Sequence, residues 1–100
     1  MSRFVVTLNA GKLEQRNAIT ALIQAKGWPL WHHFEDVWMI ANVPDDISSK
    51  ALYEEFESIS VIGDHSLLVL KVEGDPRLTH WGRTNKEGWV WMKKFWGTPE

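Results

Sequence analysis

Apolar positions along the chain recur with two different periods. Residues 3–8, Arg-Phe-Val-Val-Thr-Leu, are β-branched and apolar and predict a strand, broken by Asn9, Ala10 and Gly11. Over 12–26 the period becomes helical. Ala18, Ile19, Leu22 and Ile23 share a stripe, with Lys12, Glu14, Gln15, Arg16 and Gln24 on the other side. Gly27 sits where a C-terminal cap belongs, and Pro29 follows. Residues 30–34 and 37–43 predict two strands turning at Glu35-Asp36. That turn sets His33 opposite Trp38 and Trp31 opposite Ile40. One face would carry Trp31, His33, Trp38 and Ile40; the other would carry Leu30, His32, Phe34, Val37, Met39 and Ala41. Ser48 is a suitable N-cap, with Ile47 and Leu52 as a hydrophobic staple, for a helix running to about Ser58 striped by Leu52 and Phe56. Leu67 to Val72 predicts a last strand, ended by Glu73-Gly74-Asp75-Pro76.

The order is βαββαβ, which predicts an α+β, ferredoxin-like fold: a four-stranded antiparallel sheet with two helices on one face. A sheet with one solvated face should alternate apolar and polar residues. These strands are apolar on both sides: Val5 opposes Phe4, Val6 and Leu8, and Leu67 and Val69 oppose Leu68, Leu70 and Val72. Two helices cover one face only. A tail, a second subunit or both must cover the other, and a homodimer is expected.

The organisation is thus a domain over 1–76 and a Trp-rich basic tail over 77–100, packing on that domain or its dimer mate. The tail holds four of the seven tryptophans and five of the eleven basic residues, against Glu87 and Glu100. Residues 84–96 predict a final helix, with Thr84 and Glu87 as a capping box and Gly97 as the stop; Gly88 inside it weakens that pattern. On such a helix Trp89, Met92 and Trp96 share a face, Trp91 and Phe95 adjoin it, and Lys93 and Lys94 point to solvent.

Composition narrows the function. One hundred residues make one domain. With no cysteine there is no disulfide framework, zinc-thiolate site or thiol nucleophile. No apolar run is long enough to span a membrane, and no basic-then-apolar leader opens the chain, so a cytoplasmic protein without membrane attachment is expected. A net charge of −2 argues against strong nonspecific nucleic-acid binding. Large aromatics bury about 150–250 Å² each, so seven tryptophans exceed what a small core hides easily. The hairpin group and the tail group are expected to meet over the open sheet face.

Candidate chemistry is sparse. His32 and His33 are adjacent in a strand and point to opposite faces, which disfavours a shared metal; no metal and no cofactor are expected. Glu35-Asp36 and Asp45-Asp46 are explained by a turn and a helix start. The best local binding candidate is the tail: Arg77, Arg83, Lys86, Lys93 and Lys94 interleaved with Trp81, Trp89, Trp91, Phe95 and Trp96, with Trp81 and Trp91 the foremost rings, a pattern that suits single-stranded nucleic acid or a protein partner.

Several stretches carry a family resemblance: Ser2-Arg3-Phe4-Val5-Val6-Thr7, Trp31-His32-His33-Phe34-Glu35 with Trp38-Met39-Ile40, Leu67-Leu68-Val69-Leu70 before Glu73-Gly74-Asp75, and Trp91-Met92-Lys93-Lys94. Together they resemble small SinR-like proteins, relatives of the second CRISPR-associated adaptation protein and, more remotely, of VapD-type toxins. The resemblance implies a ferredoxin-like dimer akin to metal-dependent nucleases. In the nuclease members the first strand ends in a Tyr-Asp pair whose aspartate holds a divalent cation. This chain reads Leu8-Asn9 there, and a neutral amide is a poor ligand for a hard cation.

The leading expectation is therefore a non-catalytic, homodimeric binding or scaffold protein. Its predicted dimer interface is Trp31, His33, Trp38 and Ile40. The alternative is a metal-dependent endonuclease drawing its acid from Asp36, Asp64 or Asp75.

Overall fold

The computed structural model describes residues 1–74 and 82–96. Four strands, β1 (Ser2–Leu8), β2 (Leu30–Trp31), β3 (Val37–Val43) and β4 (Leu67–Val72), form one antiparallel sheet in the order β2-β3-β1-β4. Helix α1 (Leu13–Lys26) joins β1 to β2, and α2 (Ser49–Glu57) with a 3₁₀ turn (Ser60–Ile62) joins β3 to β4. A third helix, α3 (Lys86–Trp91), continues as one π-helical segment, Met92–Trp96. The fold is α+β. Among the described residues no helix is long and apolar enough to cross a membrane.

The core lies between the sheet and the first two helices. Phe4, Val6, Leu8, Trp38, Ile40 and Val43 project from the strands onto Ile19, Ile23, Leu52 and Phe56, all buried. Local signals fix the helix ends. Gly27 terminates α1 in the left-handed region (φ 74°), where a side chain would be strained. The Ser48 hydroxyl accepts the Ala51 N–H at 3.0 Å to start α2. Gln15 departs from expectation. Instead of facing solvent it is buried, donating from Nε2 to the Val61 carbonyl at 3.2 Å and lying 3.1 Å from His65 Nδ1, so it ties α1 to the segment before β4.

The hairpin register corrects the predicted one. Trp31 pairs with Met39 and Leu30 with Ile40. Strand β2 is two residues long. The turn itself lies at Glu35-Asp36 as expected, the Phe34 carbonyl accepting the Val37 N–H at 3.1 Å; one extra residue between Trp31 and Phe34 offsets the pairing beyond it. Asp36 anchors this turn. Its carbonyl accepts the Leu8 N–H at 2.9 Å, and its carboxylate takes Arg16 Nε at 3.1 Å and the Gly11 N–H at 3.3 Å. Asp36 thus ties the turn to the end of β1 and to α1. A shift of one residue exchanges the two faces. Trp38 and Ile40 therefore lie in the helix-side core, and Trp31 and Met39 on the other face.

A second irregularity sits at Asn42. Ser2 pairs with Val43, but Phe4 pairs with Ile40, so β3 carries one extra residue. Asn42 absorbs it with φ 55°. The bulge lets Ile40, Ala41 and Val43 all be buried while Asn42 is exposed.

Candidate functional site

The second face of the sheet carries Arg3, Val5 and Thr7 from β1, Val37 and Met39 from β3, Trp31 from β2, and Leu68, Leu70 and Val72 from β4. Cross-strand pairing sets Leu70, Val5 and Met39 in one row and Leu68, Thr7 and Val37 in the next. The tail roofs the β2–β3 side of this face. Asn85 caps α3, its Oδ1 accepting the Gly88 N–H at 2.7 Å; the cap is Asn85 and not Thr84. Gly88 explains itself here. A Cβ at this position would come within 2.7 Å of Trp31 Cζ2 and 2.6 Å of Thr84 Oγ1, so glycine lets the helix lie directly on the Trp31 indole. Beyond α3, Met92 and Trp96 are buried, and Arg3 places its guanidinium 5.4 Å from the Trp96 ring centre while donating to the Gly74 carbonyl at 2.9 Å. Lys93 and Lys94 face solvent.

Where tail and sheet meet, a groove of about 150 Å³ remains. Its walls are Trp31, Phe34 and Met39 on one side and Trp89 and Met92 on the other, with Gly82, Arg83 and Thr84 at its margin. Phe34 is 51% exposed. The Trp31 ring stacks on His33 at 5.4 Å, and His33 meets Phe34 edge-on at 5.4 Å, so the aromatic wall is continuous. The Thr84 hydroxyl at the margin is buried without a hydrogen-bond partner among the described residues.

No family model, curated protein or solved structure matches this chain.

The residues predicted as sites fall in different places. Trp38 is wholly buried beneath α1, donating from Nε1 to Thr20 Oγ1 at 2.9 Å, with the His32 ring stacked 4.4 Å away. Ile40 is wholly buried beside it. Neither can line an interface between copies, and the meeting of the two tryptophan groups over the open face involves Trp31 but not Trp38. Trp31 is roofed by its own tail, and His33 is exposed. Arg83 borders the groove, and Lys86 is exposed at the start of α3. Among the described residues Arg83, Lys86 and Lys93 make no ion pair, while Lys94 lies 5.2 Å from the Phe95 ring centre. Trp91 is half-buried against Phe95 and Trp96, at 5.7 and 6.0 Å. Arg77 and Trp81 lie outside the described residues. Trp89, one of the tail rings expected to bind, does line the groove, whereas Phe34 and Met39 had no binding signal in the sequence; the correct hairpin register would have placed Met39 beside Trp31.

The acid positions do not converge. Among the described residues no three His, Asp or Glu come together. Asn9 is exposed at the end of β1, its N–H donating to the Ser66 carbonyl at 2.9 Å. Asp36 is engaged by Arg16 and Gly11, Asp64 is exposed, and Asp75 lies outside the described residues. The two displaced titrations have local causes. The Met1 ammonium, which donates to Asp45, holds that carboxyl below its ordinary 3.8, and Ser2 adds a hydrogen bond. Tyr53 is pushed above 10.0 by donating its hydroxyl to Glu57 at 2.5 Å.

Proposed function

We propose that this chain is a small cytoplasmic homodimeric binding protein without catalysis of its own. One observation carries the reading: the sheet's second face is largely apolar, and the described tail roofs its β2–β3 side and reaches β1 at Arg3, leaving β4 open. On the β1–β4 side Leu68 and Leu70 are 55% and 47% exposed, beside Val5. Two copies that apply this strip to each other bury it symmetrically, as a two-fold interface requires. The predicted interface thus moves from Trp38 and Ile40 to the Leu68–Leu70 strip. The groove under the tail remains free for a partner, with Arg83 and Lys86 close in sequence to its margin.

A ferredoxin-like arrangement and kinship with the SinR-like group belong to the same proposal. The strand order β2-β3-β1-β4, with α1 and α2 over one face, supports them. The nuclease reading gains no comparable support, because Asp36 already neutralises Arg16 and Asn9 offers only an amide.

Light scattering behind a sizing column tests the proposal. The expected mass is two chains at micromolar concentration, falling to one in Leu68→Lys/Leu70→Lys. A single-chain mass for the unaltered protein overturns it, as does EDTA-sensitive cleavage of RNA or DNA.

A further inference from the structure

We infer that the groove beneath the tail docks a bulky apolar side chain from an acidic segment of another protein. The inference rests on the binding reading above and names the partner's chemistry.

Size comes first. At about 150 Å³ the groove is below the ~300–1,000 Å³ typical of small-molecule sites. It holds one large side chain and little else. The walls come next. Trp31, Phe34, Met39, Trp89 and Met92 are rings and thioethers, and methionine adapts its shape to whatever lies on it. A nucleobase in the same place would bring several ring-edge donors and acceptors into an apolar wall where Thr84 supplies the one hydroxyl. Each unpaired polar group so buried costs about 1–3 kcal/mol. An apolar side chain meets no such penalty.

Charge then selects the segment around the anchor. From Gly82 to Trp96 the chain carries Arg83, Lys86, Lys93 and Lys94 against Glu87 alone. Arg83 borders the groove, and neither it nor Lys86 is ion-paired among the described residues. The acid next to Phe34, Glu35, lies 3.5 Å from the Arg16 guanidinium, which it shares with Asp36, so the cations that select the partner are those on the tail side of the groove. Carboxylates flanking the anchor therefore find Arg83 at the rim, without an ion pair among the described residues, and Lys86 three residues on, an arrangement that favours encounter and orientation.

Short random peptides displayed on phage and selected on the immobilised full chain provide the test. The expected winners carry Leu, Phe or Trp flanked by Asp and Glu. A synthetic, fluorescently labelled winner should bind the unaltered protein and lose about tenfold or more in affinity with Phe34→Ala, the loss of an interface anchor. Arg83→Glu should weaken it as well, while both variants keep the parent's thermal midpoint. Selection of no peptide, or of peptides without acidic residues, overturns the inference. So does equal binding by Phe34→Ala, competition from an oligo(dT) strand that itself depends on Phe34, or dissociation of the dimer by Phe34→Ala, which would make the occupant a second copy. A two-chain mass with no selected peptide defeats this inference alone. A single-chain mass with a groove-dependent peptide defeats the dimer reading and leaves the groove.

Discussion

The two faces of the sheet are cut from the same strands, yet they are finished differently. On the helix side Phe4, Val6, Trp38, Ile40 and Val43 are wholly covered, and the one polar atom Trp38 brings into this core has its partner in Thr20. On the far side the row through Val5 begins at Met39 beside the tail and ends in the open at Leu70, with Leu68 exposed next to it. Composition does not separate the faces, since both are rich in branched and aromatic residues. What separates them is the number of elements available to cover each. Two helices complete one side, whereas among the described residues a single short helix and its π-helical extension cover part of the other. The difference teaches where stability and recognition reside: the closed face holds the fold, and the half-closed face has apolar area left for contacts outside the chain.

The largest effect belongs to the closed face. Trp38→Ala leaves a cavity in a fully packed layer and should cost about 3–5 kcal/mol in urea unfolding, a large share of the ~5–15 kcal/mol typical of a domain. Thr20→Val keeps the volume but strands the Trp38 N–H, and should cost about 1–3 kcal/mol by the same measurement. Gly88→Ala acts on the half-closed face. Its Cβ must displace Thr84 or the Trp31 indole, so overpacking of about 1–3 kcal/mol should fall on the tail. Hydrogen exchange should then quicken over 86–96 while the strands keep their protection; uniform quickening would mean that the two faces are not independent. Leu70→Lys should change stability by no more than about 0.5 kcal/mol at dilutions where only single chains exist, because the side chain is already half in water. The smallest effect lies off both faces. Asp45 has a lowered pKa when folded, so its contribution is present above the ordinary carboxylate value and lost as pH falls through the lowered one. Asp45→Asn should therefore lower neutral stability slightly and flatten the acid limb, so that variant and parent converge below about pH 4.

The parts legible in the sequence were those governed by short-range chemistry. Gly27 and Ser48 marked helix ends, and Leu52 with Phe56 marked the buried stripe of α2. Leu67 to Val72 was readable as a strand from its branched residues. The errors share a different cause. The hairpin turn at Glu35-Asp36 was legible, but one extra residue between Trp31 and Phe34 offsets the pairing beyond it, and no local pattern there discloses that. One residue of slip then moved Trp38 and Ile40 from the expected interface into the core. Gln15 read as a surface residue because its partners, Val61 and His65, come from beyond α2. The tail was legible as basic and aromatic, and Lys93 and Lys94 face solvent as the helical pattern required. The groove was not legible, since it needs both the true register of β3 and the close approach allowed at Gly88.

The position of β1 bears on how the chain is made. It is an interior strand, paired with β3 through Val43 and with β4 through Val72. A strand from the opening residues thus lacks one of its hydrogen-bonded neighbours until the seventies have left the ribosome. At translation speeds of about 5–20 residues per second, that is a wait of several seconds. Helix α1, whose bonds are local, can form during that interval and lay Ile19 and Ile23 over the waiting Phe4 and Val6. The nascent chain then has one apolar strand sheltered on the helix side and bare on the other, for as long as synthesis takes to supply β4.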